Sequence, residues 1–256
     1  LFPDPERFLG KLHARGMKTT LNVHPADGIR AYEDCYPEVA EAMGVDAKKE
    51  EPVNFDIADP KFVDVYFDKV HHPMEKEGVD FWWIDWQQHL TSNDTYGLSE
   101  TFWCNHIFFN DMVRKRTDRR PVIFHRWGGL GSHRYQIGFS GDALINFQTL
   151  GFQPYFTATA SNVGYGYWGH DLGGHAFTDE SIVNDPELVL RWIQFGVFTP
   201  IFRTHATNDA RIERRIWKFD NFPTMLEAVR LRYSLFPYLY TMARKAYDTG
   251  ISVCRP

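Results

Sequence analysis

Cysteine and positive charge are both scarce in this sequence. Its 256 residues include three cysteines, Cys35, Cys104 and Cys254, and no two of them form a C-x-x-C pair. This spacing indicates neither a zinc site nor a disulfide framework. The 28 lysines and arginines are outnumbered by 33 aspartates and glutamates, which leaves a net charge of −5. A chain with this charge balance is not expected to bind nucleic acid.

Long apolar runs and glycine-rich phosphate motifs are absent as well. No stretch reaches the roughly 18 apolar residues of a membrane span, so the membrane is not an expected partner. No G-x-G-x-x-G or Walker motif follows a predicted strand, and we expect neither a nucleotide nor any other cofactor, nor a bound metal. The chain starts at Leu1 without an initiator Met, and we expect it to be a piece of a longer protein.

The sequence has ample apolar content and a repeated helix start. Hydrophobic residues make up 43% of the chain, enough for a sizeable core. An Asp-Pro pair at 4–5, 59–60 and 185–186 places an Asp cap before a Pro at the first helical position. Gly16 and Gly78 follow the first two of these predicted helices, and each leads into an apolar strand. A longer helix is predicted near 224–249, with a kink at Pro237.

Six segments are predicted as strands. They are MKTTLNV (17–23), VDFWWID (79–85), PVIFHR (121–126), QIGFSG (136–141), YGYWGHD (165–171) and ISVCRP (251–256). Strands that alternate with helices form parallel units, and strands without polar alternation are covered on both faces. With no nucleotide motif to favour a doubly wound sheet, the pattern predicts an α/β fold, a (β/α)8 TIM barrel, incomplete at about six of eight strands. The missing part would be N-terminal, and residues 1–256 would form one partial domain with no second domain.

Polar side chains stand at the carboxyl ends of five of these strands. They are Asp27 (with His24), Asp85, Arg126, Asp142 and Asp171. In a barrel these ends meet at the rim that carries the active site. Four tryptophans accompany them, namely Trp83, Trp86, Trp127 and Trp168. Acids beside flat aromatic faces are typical of a site for sugars, so a carbohydrate substrate is expected.

At these positions the chain resembles glycoside hydrolase family 31, the retaining α-glycosidases. FWWIDWQQ resembles the nucleophile strand of that family, and HRWGGLGSHRYQIGFSGD is similar to its Arg-containing strand followed by a Gly-Asp acid/base. YWGHDLGGH, FTPIFRTH and LRYSLFPYLY resemble three further segments in the same order. The resemblance implies Asp85 as nucleophile and Asp142 as acid/base. It further implies that sugar contacts come from Arg126, Asp171, Arg203 and His205, and that the rest of the catalytic domain and flanking β-domains lie outside this chain.

The chain departs from the family pattern at two places. Trp86-Gln87-Gln88 stands where members commonly have Met-Asn-Glu, and His175 stands where they have Phe.

The reaction that the resemblance implies is hydrolysis of α-linked sugars by double displacement, with the two carboxyl groups about 5 to 5.5 Å apart.

Two alternatives remain open at the level of sequence. One is a sugar-binding barrel without catalysis, against which the presence of both acids argues. The other is a metal-dependent barrel hydrolase, with His170, Asp171 and His175 as ligands. In the segment NVHPAD, Pro25 and Ala26 occupy the places where the H-x-H motif of such enzymes has its spacer and second His, which argues against it.

Overall fold

The computed structural model describes residues 2–85, 97–126, 130–177 and 185–255. The chain divides into two compact units, Leu1–Gly128 and Gly129–Pro256. Each unit contains parallel strands connected by helices, so each is described by itself.

The described part of the first unit contains three parallel strands. They are β1 (Thr20–Val23), β2 (Phe81–Ile84) and β3 (Ile123–Arg126), with β2 paired to both of the others. The helices described in this unit are α1 (Pro5–His13), α2 (Tyr36–Met43), α3 (Pro60–Tyr66), α4 (His72–Glu77) and α5 (Glu100–Lys115). A π-helical turn over Phe67–His71 joins α3 to α4.

The second unit contains two parallel strands and four helices in its described part. The strands are β4 (Ile137–Phe139) and β5 (Tyr167–Gly169), which pair with each other. The helices are α6 (Phe147–Ala160), α7 (Pro186–Gly196), α8 (Phe222–Ser234) and α9 (Phe236–Thr249). None of the helices among the described residues of either unit is both long and apolar enough to cross a membrane.

The predicted Asp-Pro helix starts are confirmed at all three places. Asp4 accepts a hydrogen bond from the backbone N–H of Arg7, and Asp59 and Asp185 cap α3 and α7 in the same way. Each carboxylate satisfies a donor that the first turn leaves free, and Pro lacks such a donor to begin with. These caps fix where the three helices begin.

Side chains of the strands in the first unit point to two opposite faces. One face carries Asp85 and is called the site face, and the other packs against helices and is called the helix face. Asn22, Trp83 and Phe124 stand side by side in the strand register, so they share one face. Trp82 and Ile123 lie on the opposite face, where both are fully buried. Because side chains alternate along a strand, Asp85 and Arg126 fall on the same face as Trp83 and Phe124.

The helix face of this unit is packed by aromatic rings around a buried histidine. His71 lies in the π-helical turn, 4.3 Å between ring centroids from Trp82 and 4.9 Å from Phe108. Its two ring nitrogens have no hydrogen-bond partner among the described residues. Burial lowers the pKa of His71 to about 3, so the ring is neutral and behaves as part of the hydrophobic core.

Two of the sequence predictions about elements are wrong. Residues 251–255 form no strand: their segment is held by contacts such as the Ser252 hydroxyl on the carbonyl of Tyr165, and none of these residues pairs with a strand. Pro237 does not kink one long helix but sits in the first turn of α9, after α8 has ended at Ser234. A proline lacks the N–H that would continue the helix, and Leu235 bridges the two segments. The other five predicted strands are confirmed.

Candidate active site

Asp85 ends β2 as a buried carboxylate with several partners. Its side chain is 7% exposed and accepts a hydrogen bond from Asn22 Nδ2 at 3.2 Å. The Nε of Arg126 donates to its other oxygen. The backbone N–H of Asp85 bonds to the carbonyl of Val23 at 2.9 Å, so sheet pairing continues up to the acid and fixes its direction. A carboxylate so placed is aimed by two neighbouring strands.

Arg126 supplies the positive charge that makes this burial tolerable. Its side chain is 14% exposed and ends β3, next to β2 in the sheet. An isolated carboxylate out of water is strongly disfavoured, whereas one paired to a guanidinium stays ionised and in a fixed orientation. His24, half-exposed, lies 3.8 Å from Asp85 and adds a second basic group. The cluster therefore presents a carboxylate oxygen held by a guanidinium, with an imidazole close by.

The other predicted residues of the first unit have different positions. Trp83 is buried on the site face and stacks on Phe124 with ring centroids 5.0 Å apart. Asp27 lies in a short 3-10 turn after β1 and is exposed, and within the described residues no hydrogen bond or ion pair joins its side chain to Asp85. Trp127 and the Trp86-Gln87-Gln88 segment lie outside the described residues.

Asp142 follows β4 in the second unit. The chain reaches it through Gly141, whose positive φ of 80° turns the backbone after the strand. The Asp142 side chain is 35% exposed, and its Oδ1 lies 3.9 Å from Nδ1 of His175. Asp85 and Asp142 lie in different units, and the distance predicted between their carboxyl groups stays a prediction.

Asp171 is the most deeply buried acid among the described residues of the second unit, with a side chain that is 0% exposed. Arg203 donates to its Oδ1, and His175 Nδ1 donates to its Oδ2 at 3.1 Å. Burial by itself raises the pKa of this carboxyl, but the hydrogen bond from His175 and the charge of Arg203 outweigh it, so the pKa lies below its ordinary value. Asp171 is therefore ionised. One hydrogen-bonded network thus joins two predicted sugar contacts, Asp171 and Arg203, to His175, which departs from the family pattern.

The same network has the ligand types of a metal site. Asp171, His175 and His205 offer ligand atoms that lie within 4.8 Å of one another. The guanidinium of Arg203 already neutralises Asp171, and a second cation would have to displace the proton between His175 and Asp171. The arrangement therefore favours a hydrogen-bonded network over a metal centre.

His170, also considered as a ligand, points away from this network. It is fully buried, bonded to Thr157 and Ser140 at 2.8 Å each. Burial lowers its pKa to about 3. Trp168 lies on the same helix-facing side of β5, packed against Tyr165 and Phe156 in the core. Its placement favours a packing role over a sugar contact.

Arg214 is a component that the sequence did not single out. Its guanidinium donates to the carbonyls of Gly173 and Gly174 at 2.8 and 2.6 Å. A Cβ at Gly173 would lie 2.5 Å from Nε of Arg214, and both glycines have positive φ. Burial lowers the pKa of Arg214 to about 10, which still leaves it charged. Arg214 thus fixes the loop that carries Asp171 and His175, and the run of arginines at 211, 214 and 215 was the available signal.

Comparisons with known proteins identify the family of the chain. The model of the glycosyl hydrolases family 31 TIM-barrel domain matches residues 1–242. An alpha-xylosidase of Saccharolobus solfataricus is 25% identical over 282 residues, covering 100% of this chain and 36% of the relative. A probable glucan 1,3-alpha-glucosidase of Oryza sativa is 36% identical over 155 residues, covering 59% of this chain and 16% of the relative.

A solved structure with the same fold is a family 31 dextranase of Flavobacterium johnsoniae. It is 23% identical with a TM-score of 0.79, covering 98% of this chain and 35% of the dextranase. The chain thus spans from about a sixth to about a third of the length of these proteins. The predicted (β/α)8 fold class is confirmed, and the chain belongs to glycosyl hydrolases family 31.

Proposed function

We propose that the protein containing this chain is a retaining α-glycoside hydrolase that acts on α-linked sugars by double displacement. The observation that carries the proposal is the buried Asp85 carboxylate at the end of β2, paired to Arg126 and aimed by Asn22. The relatives are named for α-glucosidase and α-xylosidase activities, which supports the substrate class.

The two acids have different surroundings, and these support different roles. In the first step an oxygen of Asp85 attacks the anomeric carbon, the glycosidic bond breaks, and Asp142 gives its proton to the departing oxygen. In the second step Asp142 takes a proton from water, the water oxygen attacks the anomeric carbon, and Asp85 is released. Asp85 is nearly buried and held by a guanidinium, as suits an ionised nucleophile. Asp142 is one-third exposed, as suits a group that exchanges protons with a leaving group and water.

The Asp171 network supports binding of sugar hydroxyls. The fully buried Asp171 carboxylate holds the partly exposed side chains of Arg203 and His175 in fixed positions, and the Arg203 guanidinium lies 5.1 Å from the Phe139 ring centroid, which limits its motion. Side chains held in this way bind a hydroxyl at little cost in side-chain entropy. We expect Arg126, Trp83, Trp127, His205 and Asp27 to be the further candidates for sugar contacts, with Trp168 acting from the core.

The test is the stereochemistry and chemical rescue of the full-length protein. Wild-type protein is incubated with 4-nitrophenyl α-glucoside, α-xyloside and α-galactoside, and proton NMR records the anomer that forms first. We expect the α-anomer. In Asp85→Gly, added azide should yield a β-glycosyl azide, because the small anion enters the space of the lost carboxylate from the opposite face. In Asp142→Gly, azide should yield the α-azide by attacking the glycosyl-enzyme.

A β-anomer as the first product from wild-type protein would overturn the retaining mechanism. Interchanged azide products would overturn the assignment of roles to Asp85 and Asp142. Turnover that disappears with a chelator and returns with a divalent metal would instead favour the metal-dependent alternative.

A further inference from the structure

His175 connects two acids that are otherwise on separate loops of the second unit. Its Nδ1 lies 3.1 Å from Oδ2 of Asp171 and 3.9 Å from Oδ1 of Asp142. A carboxylate can only accept hydrogen bonds, so the proton is on Nδ1 of His175 and points to Asp171. The imidazole therefore lies between the buried Asp171 and the partly exposed Asp142, and its Nδ1 is close to both carboxylates.

The backbone reinforces this connection. The N–H of His175 donates to the carbonyl of Ala143, the residue next to Asp142, at 2.6 Å. The N–H of Ile145 returns a bond to the carbonyl of Ala176 at 3.0 Å, and Leu144 and Ala176 form a parallel bridge. The loop that carries Asp142 and the loop that carries Asp171 are thus tied by main-chain bonds directly at His175.

The orientation of the ring is also constrained from the other side. The carbonyl of His175 accepts from the N–H of Thr207 at 3.0 Å, and its ring packs against His205 with centroids 5.4 Å apart. The side chain is 18% exposed. A ring held by neighbours on both sides can impose a direction on a carboxylate, whereas a freely rotating surface side chain could not.

We infer that His175 is a positioning residue, which orients the Asp171 carboxylate by hydrogen bonding and places its Nδ1 3.9 Å from Oδ1 of the acid/base Asp142. This inference rests on the proposed function for the role of Asp142. A phenylalanine at position 175 has the same ring bulk but no donor, so it would keep the packing and lose the alignment. The residue at 175 accordingly sets how efficiently Asp142 delivers its proton to a poor leaving group.

The experiment compares three full-length proteins: wild type, His175→Phe and His175→Asn. Asn places an amide N–H close to where Nδ1 of His lies, so it serves as the conservative variant. Each protein is assayed on two α-glycosides of the sugar that wild type turns over fastest, one with a 2,4-dinitrophenyl group and one with a methyl group as the leaving group. The dinitrophenolate departs without a proton, whereas the methoxide needs one.

We expect His175→Phe to lower kcat/KM on the methyl glycoside about 10- to 100-fold, the range given by a lost hydrogen bond to a charged group. On the dinitrophenyl glycoside kcat should change about 3-fold or less, while KM rises because Asp171 is less well oriented. His175→Asn should recover most of the loss. Equal losses on both leaving groups, or an Asn variant no better than Phe in a folded protein, would overturn the inference.

A second measurement needs no turnover. In protein labelled with 15N-histidine, the His175 signal, assigned by its loss in His175→Asn, should show a protonated Nδ1 that shifts in Asp171→Asn. If wild-type protein hydrolyses no glycoside while this signal behaves as described, the proposed function fails and the contact stands. An unshifted signal contradicts the contact itself.

Discussion

The pairing of Arg203 with Asp171 allows a stability prediction with a definite asymmetry. The Asp171 side chain is 0% exposed and the Arg203 side chain 20%. Arg203→Met leaves a buried carboxylate without this cation, and we expect a loss of about 3 to 5 kcal/mol in the free energy of unfolding. Asp171→Asn leaves a guanidinium that lies over Phe139, on a side chain that is partly exposed where Asp171 is fully buried, so its loss should be smaller, about 1 to 3 kcal/mol.

The double variant distinguishes a true pairwise interaction from two separate defects. Without either charge, no buried charge is left uncompensated, so the combined loss should fall short of the sum by about 2 kcal/mol. The exposed pair of Glu187 and Arg191, both more than half exposed and one helical turn apart, is the matched control. Its coupling should be about 0.5 kcal/mol or less.

The measurement is urea unfolding of the full-length protein and its variants, followed by tryptophan fluorescence and circular dichroism. Losses that add within about 0.5 kcal/mol would refute the interaction, because independent sites behave in that way. A larger loss in Asp171→Asn than in Arg203→Met would refute the argument from burial.

Three further predictions concern other parts of the molecule. Arg126→Lys should lower kcat/KM about 10-fold or more in steady-state assays, because an ammonium cannot reproduce the guanidinium fork on Asp85; wild-type kinetics would return Arg126 to a structural role. Gly173→Ala should destabilise by more than about 1 kcal/mol in urea titrations, since a Cβ there meets Arg214 and φ is +104°. Gly10→Ala, in a helix with open space around it, should instead stabilise the protein by about 1 kcal/mol. If both glycine variants changed the free energy of unfolding in the same direction, this explanation would be contradicted. Since the pKa of His71 is about 3 when folded and about 6.5 when unfolded, the unfolded state binds more protons between these values, and stability should fall by up to about 1.4 kcal/mol per pH unit on acidification. His71→Phe should show a flatter stability curve from pH 6.5 to 4.5, and an unchanged slope would show that the ring is not neutral in the core.

Local chemistry explains which parts of the fold were predictable. An Asp-Pro pair caps a helix through its own backbone, and a buried strand shows its apolar run directly, so both signals lie within a few residues. The segment 251–255 has an apolar start, but a strand also requires a partner with free backbone groups, and that requirement is not local. Pro237 signals an interruption of the helix near Leu235. Whether a proline kinks one helix or separates two helices depends on tertiary contacts, which the sequence does not show.

Strand alternation explains the success and failure at the site. Trp83 is two residues before Asp85 and shares its face, whereas Trp168 is three residues before Asp171 and faces the helices. Residues share a strand face only when they are an even number of positions apart, so nearness in sequence does not identify the tryptophans that lie beside an acid. The sequence shows His175 as a departure from the family pattern, but its hydrogen bond to Asp171 depends on the fold of the loop. Arg214, reaching across about 40 positions to two glycine carbonyls, depends on tertiary contacts that no local pattern encodes.

The hold of Arg214 on the Gly173-Gly174 carbonyls has a consequence for protein engineering. A segment such as 171–175 looks portable, since it is short and carries an acid and an imidazole. Its shape, however, is fixed by a guanidinium that fills the space where any side chain at 173 would stand. Grafting the segment onto another barrel would therefore transfer the residues without their geometry, unless an arginine equivalent to Arg214 were transferred with it.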